Sequence, residues 1–433
     1  MYKWLAGLTV LLIFMSVGEH RGYSQTARQD TLRELMRRIE ILTEEIEKSK
    51  LQEVADRPYK SYRGLGPAAS QVYFVEKSGV SLAGYGEVVY ESFANSYEDG
   101  TPANKSDKID FLRNIIYLGY KFNDRIYFNS EIEIEHGIAG GGGPGEVAME
   151  FGYVDFEISP HFIARAGMIL VPMGIVNEWH EPPTFYTALR PETERAILPT
   201  TWRANGFGAL GNITDDLTYR IYLLEGFDAR KFSAAGVRKG RQSGAQAKAE
   251  NFSLTGRLDY SGLSGFIVGG SFYYGKSGQG LTNALGEALD APVSILSFHA
   301  IYRHRGIEAR ALYARTQIGD VADLNQVLNL NGQASIGEQQ YGYYLLLAYN
   351  VLPHFMANSS AIFSPFVQYE RVNTQAKVPS GYTINSANDR THLVWGIQYK
   401  PISNVSFKID YMKRTTAARS GLSQLNVSVS YMF

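Results

Sequence analysis

The sequence predicts an all-β fold, an antiparallel transmembrane β-barrel of about sixteen strands with a short N-terminal helix ahead of it. Three observations lead there. From Gln424 to Phe433 every odd position is apolar or aromatic and every even position is polar or Met, the two-residue period of a strand with one greasy and one wet face. Past the N-terminus no run approaches the ~20 apolar residues that a membrane-crossing helix needs. The alternating segments are also separated by gaps that are short and long in turn, as in an up-and-down barrel with short periplasmic turns and long external loops. Strands can cross a bilayer only when closure pairs every backbone group.

Each element follows in chain order. Lys3 precedes the apolar run Leu5 to Val17, and Gly22-Tyr23-Ser24 supplies small residues for cleavage, so residues 1–24 read as a secretory signal peptide. Residues 26–55 read as a coiled-coil helix. Leu32, Leu35, Ile39, Leu42 and Ile46 recur at spacings of three and four, and Asp30 or Thr31 stands where a cap belongs. A single amphipathic helix lying on the barrel fits the same pattern. Residues 56–79, with Pro58 and the Gly64-Leu65-Gly66-Pro67 turn, form a linker. The barrel occupies 80–433. Its tight connections fall at Asn123-Asp124, Ser159-Pro160, Thr214 to Asp216, Ser261 to Ser264, Arg303 to Gly306 and Pro401 to Asn404, with a longer one near Pro353. Long ones span 94–107, 137–145, 171–200, 227–249, 275–293, 318–336, 373–390 and 414–422. Both chain ends then lie in the periplasm and the strand number is even. The alternation breaks down in one strand, near Met149 to Gly152.

Composition agrees. An exported chain without cysteine has no disulfide framework. Its 29 Tyr suit the two membrane-water interfaces. The formal net charge of -1, with no basic stripe, excludes a nucleic-acid footprint.

A barrel of this size encloses an aqueous interior, so inward positions are expected to be polar. The alternation places Arg113, Arg165, Arg220, Arg257 and Arg310 inside. On the lipid side each would cost roughly 2–4 kcal/mol near the bilayer midplane. Glu131, Glu133 and Glu135 line one wall, where mutual neutralisation with lumen arginines is expected; a calcium site needs more converging oxygens than one strand offers. Gly84, Gly86, Gly119 and Gly152 either permit close subunit approach or ease curvature.

The run Arg165 to Gly174, with Pro172-Met173-Gly174 after a strand, leads into a loop containing Trp179-His180-Glu181-Pro182-Pro183 and Arg190-Pro191-Glu192-Thr193-Glu194-Arg195. From about Val80 to Phe433 the chain resembles the phosphate-selective porin O and P family. The terminal Phe also resembles the sorting signal of Gram-negative outer-membrane proteins. The resemblance implies a sixteen-stranded barrel in the outer membrane of a Gram-negative bacterium, usually a homotrimer, with the third external loop folded into the pore and the helix in the periplasm. In this chain the loop region carries Glu178, Glu181, Glu192 and Glu194 against Arg190, Arg195 and Arg203, with no lysine cluster, so phosphate specificity is not carried over.

The expected function is a porin, a water-filled channel for passive diffusion of small ions and solutes in contact with outer-membrane lipid; oxoanion or phosphate preference is its narrower version. The rival is a structural anchor that tethers cell-wall or periplasmic partners through the helix. No enzyme, cofactor or metal is expected. The eight histidines lack metal-ligand spacing, and His180 beside Glu181 reads as loop packing. Ser297 and His299 share a face without a recognisable acid and read as lumen lining. The glycine run at Gly140 to Gly143 lacks the Gly-Lys-Ser ending of a phosphate-binding loop and reads as a loop tip.

Overall fold

A computed structural model describes residues 33–41, 60–356 and 358–433. Residues 33–41 are helical, with Glu34 bonded to Arg38 one turn on at 3.0 Å and Leu35 and Met36 exposed. The predicted signal peptide and the seam positions Leu32, Leu42 and Ile46 lie outside the described residues.

Sixteen antiparallel strands close into one barrel, each paired with its sequence neighbours and β1 (Gly79–Phe93) with β16 (Gln424–Met432). In order the others are β2 (Lys108–Lys121), β3 (Ile126–Glu135), β4 (Val147–Ser159), β5 (Phe162–Leu170), β6 (Arg203–Thr214), β7 (Leu217–Glu225), β8 (Phe252–Tyr260), β9 (Phe266–Gly275), β10 (Val293–His304), β11 (Ile307–Ile318), β12 (Gln339–Tyr349), β13 (Ile362–Lys377), β14 (Asp389–Ile402) and β15 (Val405–Thr416). Short turns gather at one end and long loops at the other, as the gap lengths predict. Outward positions are apolar: Leu393, Trp395, Ile397 and Tyr399 on β14 and Phe407, Ile409 and Tyr411 on β15 are exposed, while His392, Gln398, Ser406, Lys408 and Asp410 point in and are buried.

The last strand closes the barrel through its final residue. Gly84 and Phe433 exchange two backbone hydrogen bonds of 2.9 Å. The Phe433 and Tyr431 rings lie over Gly84 and Gly86, where any side chain would collide with them, an arrangement in which aromatic rings cover glycines on the neighbouring strand. Gly119 instead faces the lumen and makes room for Val72, and Gly152 has only Met149 near it.

The lumen is partly filled by an inserted segment, which the strand count alone does not foretell. Residues 60–78, a linker by sequence, run along the inner wall of β2 to β5. Asn129 donates to the Ala69 carbonyl at 2.8 Å, and Lys121 donates to the carbonyls of Val75 and Glu76 at 3.0 and 2.9 Å. Arg63 pairs with Asp155 at 3.0 Å and with Glu157, and Tyr73 donates to Asp155 at 2.8 Å. Polar inward side chains thus satisfy the backbone of an inserted segment, the condition for burying irregular chain inside a barrel.

Candidate functional site

The third long loop, 171–202, folds into the barrel and is tied to the wall on every side. Its base is held by Asn177, whose amide donates to the carbonyls of Val171 and Trp202 at 2.7 and 2.9 Å and accepts from the Trp202 amide at 2.7 Å. Gly174 sits at φ +72° with a Cβ position 2.6 Å from the Glu194 carboxylate, so only glycine fits there. Across the bore Lys408 donates to the carbonyls of Pro182 and Thr187 at 2.8 and 3.1 Å, Gln398 to that of Phe185 at 2.9 Å, and Arg310 to that of Thr184 at 2.7 Å. Asp410 accepts from the Ala188 amide at 2.6 Å, and Glu370 accepts from those of Glu192 and Thr193 at 3.0 and 2.6 Å. Glu194 accepts from Ile175, Val176 and the Tyr344 hydroxyl. Each charge-assisted bond contributes roughly 1.5–3 kcal/mol when buried, so the loop is a built partition rather than a mobile lid.

Of the five arginines expected inside, Arg220, Arg257 and Arg310 hold this partition. Arg165 is bound to Asp155 at 2.7 Å, Arg220 to Glu178 at 2.9 Å and to Asp259, Arg257 to Asp259 at 2.8 Å and to the Gly174 carbonyl, and Arg310 to Glu308 at 2.6 Å. Arg113 pairs with Glu87 and Glu133 on the adjacent strands at 2.9 and 3.3 Å. His299 does meet an acid, Asp259, at 3.0 Å, but Ser297 is sealed from solvent and open to no substrate.

The loop's acids turn away from the bore. Glu178 faces Arg220, Glu181 accepts from the Ala68 and Ala69 amides at 3.2 and 2.9 Å, and Glu194 is used up inside the loop. Arg203 lies on Glu150 at 2.7 Å. Of the four acids only Glu192 remains in the loop-end vestibule, beside Arg195 at 2.7 Å and Arg390 at 2.5 Å. Burial would raise its carboxyl, but these two guanidiniums outweigh that and hold it below the usual carboxylate range. Burial pushes Glu194 up despite its donors.

Two adjoining cavities of about 360 and 280 Å3 form this vestibule. Their walls carry eight basic side chains, Lys105, Lys108, Arg113, Arg190, Arg195, Arg238, Arg390 and Arg414, against four acidic ones, Glu87, Glu91, Glu192 and Glu370. Arg238 and Arg241 hydrogen-bond to carbonyls of the loop, and Arg190 to the Thr201 hydroxyl at 3.3 Å. Burial, and then the guanidiniums of Arg241, Arg195 and Arg190, push Arg238 below its ordinary value. Sequence reading missed Arg238, Arg390 and Arg414 because they come from distant loops and strands and meet only in the closed barrel.

On the turn side of the partition lie cavities of about 300 and 310 Å3. Phe185 lines the vestibule, and the Lys408 ammonium lies 4.0 Å from its ring centroid. Around them Ser406, Ser428 and Ser430 are buried.

Glu131 and Glu150 meet His180 under the loop. The Nε2 atom of His180 lies 2.9 Å from Glu131 and 3.8 Å from Glu150. Glu150 arrives through a β-bulge: Glu131 pairs with Phe151 and Ile132 with Met149, so Glu150 is skipped and turns inward beside Phe151. That bulge is the lost alternation near Met149 to Gly152.

The closed sixteen-strand barrel with an infolded third loop defines a porin-fold outer-membrane-class barrel. The chain belongs to the family of an uncharacterized protein of Aquifex aeolicus (strain VF5), to which it is 38% identical over 397 residues, covering 89% of this chain and 87% of that one. No family model matches. Among solved structures it is similar to Salmonella typhi OmpF in complex with daunomycin, at TM-score 0.53 and 13% identity over 82% of this chain and 98% of the other. It is also similar to the anion-selective porin from Comamonas acidovorans, at 0.51 and 11% over 82% and 100%. A loop L8 deletion mutant of OmpT, an outer membrane protein of Vibrio cholerae, gives 0.52 and 10% over 83% and 100%. At such identities these likenesses establish the fold.

Proposed function

We propose that this protein is a passive diffusion channel of a Gram-negative outer membrane whose loop-end vestibule favours small anions. The observation that carries the reading is the surplus of basic over acidic side chains there, eight against four. A low-dielectric wall focuses such a field and raises the local concentration of counter-ions without holding them tightly. The likeness to an anion-selective porin supports the same sign. Solutes pass from the vestibule along Phe185 and Lys408 to the turn side. No chemistry is involved; selectivity comes from bore and field.

Neutralising vestibule arginines tests this. Arg195→Gln combined with Arg414→Gln is expected to lower the anion-to-cation permeability ratio several-fold in planar bilayers while leaving the barrel folded. An unchanged ratio would remove the vestibule from the mechanism. On the family resemblance we extend the reading to a homotrimer, for which amine crosslinking in native membranes should trap a three-chain species; a ladder ending at one chain contradicts it. Phosphate preference is the narrower form of the same proposal and predicts block of chloride current by added phosphate.

A further inference from the structure

We propose that Glu131, Glu150 and His180 form a binding site for a divalent transition cation of the zinc class, which fastens the third loop to the wall. Three elements supply the ligands: β3, the bulge of β4, and the loop. One ligand atom from each lies within 4.8 Å of the others, and all three residues are at most 1% exposed. Two carboxylate oxygens and one imidazole nitrogen make a donor set that suits such an ion.

The surroundings point to a ligand independently of the acids. The Nδ1 atom of His180 lies 2.9 Å from the Asn177 carbonyl, to which it donates. That bond fixes the ring and aims the lone pair of Nε2, once deprotonated, at both carboxylates, as the outer partner of a metal-bound histidine does. Glu150 accepts from Arg203 on Oε1 at 2.7 Å, while its Oε2, buried and 3.8 Å from Nε2 of His180, receives no hydrogen bond from a cationic or backbone donor among the described residues and has the Glu133 carboxyl beside it. The buried hydroxyl of Tyr85, whose ring stands edge-on to His180 at 5.9 Å between centroids, lacks a hydrogen-bond partner among them. A buried carboxylate oxygen left unpaired is costly, and a cation bound between Glu131, Glu150 and Nε2 satisfies it. Ligand atoms about 2.0–2.2 Å from zinc stand closer together than 4.8 Å, so binding draws the loop about an ångström toward the wall. The proposal does not depend on the channel reading.

The test is equilibrium dialysis of the chelator-stripped, refolded full chain against Zn2+, followed by metal analysis. The expected result is one zinc per chain, with affinity reduced at least tenfold in Glu150→Gln and in His180→Gln, and unchanged in His161→Ala, which removes an exposed histidine. Heat-modifiable gel migration confirms that each variant is folded. Should His180→Gln fail to fold, Glu150→Gln carries the test, because its amide still fills the bulge. Fewer than about 0.1 zinc per chain, wild-type affinity in Glu150→Gln, or loss of binding in His161→Ala overturns the proposal.

Discussion

The proposed route turns on Phe185 and Lys408, the Lys408 ammonium lying 4.0 Å from the Phe185 ring centroid. The Phe185 carbonyl accepts from Gln398, and the Lys408 ammonium donates to two further loop carbonyls, so the backbone here is fixed by the barrel wall. Phe185→Ala removes the ring and leaves those backbone bonds in place. Single-channel conductance is expected to rise several-fold, and conductance equal to wild type would place the route elsewhere. Lys408 was legible as an inward residue from alternation alone, since Phe407 and Ile409 flank it. Its partners on the loop were not, because a period along one strand carries no information about what crosses the lumen. Glu150 shows the opposite case. The lost alternation around it was visible, and its cause, a bulge that turns two successive side chains inward, became readable only from the pairing with β3.

At the scale of elements, the loop 171–202 and the segment 60–78 are what separate this barrel from an open cylinder. The loop was legible as a constriction through its Pro, Trp and Arg content and its resemblance to a porin loop. The segment was not, because it has no periodicity and is held in good part through backbone carbonyls, which accept from Lys121 on β2 and Asn129 on β3. The direction in which each acid of the loop points was also hidden, and that decides the sign of the vestibule. Glu192 gives the loop a pH dependence. Its carboxyl lies below the unfolded value in the folded protein, so the stabilisation by Arg195 and Arg390 is full above the unfolded pKa of about 4.3 and is lost as pH falls through the folded value. Hydrogen exchange at the Thr193–Ile197 turn is therefore expected to stay slow from neutral pH to about 5 and to speed up below about 4, beyond the intrinsic pH trend. In Glu192→Gln that acid step should vanish; its persistence would assign the effect to another carboxylate.

For the whole molecule, charge is sorted along the bore rather than balanced at each level. The partition and the turn side pair arginines with acids one by one, as in Arg165 with Asp155 and Arg220 with Glu178, while the loop end keeps a basic surplus. A formal net charge of -1 conceals this. Strand number, order and facing were readable because a barrel repeats one local rule sixteen times. The sign of the vestibule depends on residues from 105 to 414 meeting through closure, and no local rule describes that. The most direct measurement of the central claim is the reversal potential of the purified wild-type protein in a planar bilayer under a potassium chloride gradient. A vestibule with a basic surplus should give a stepwise conductance whose reversal potential lies on the chloride side of zero. A reversal potential on the potassium side, or no conductance at all, would contradict it.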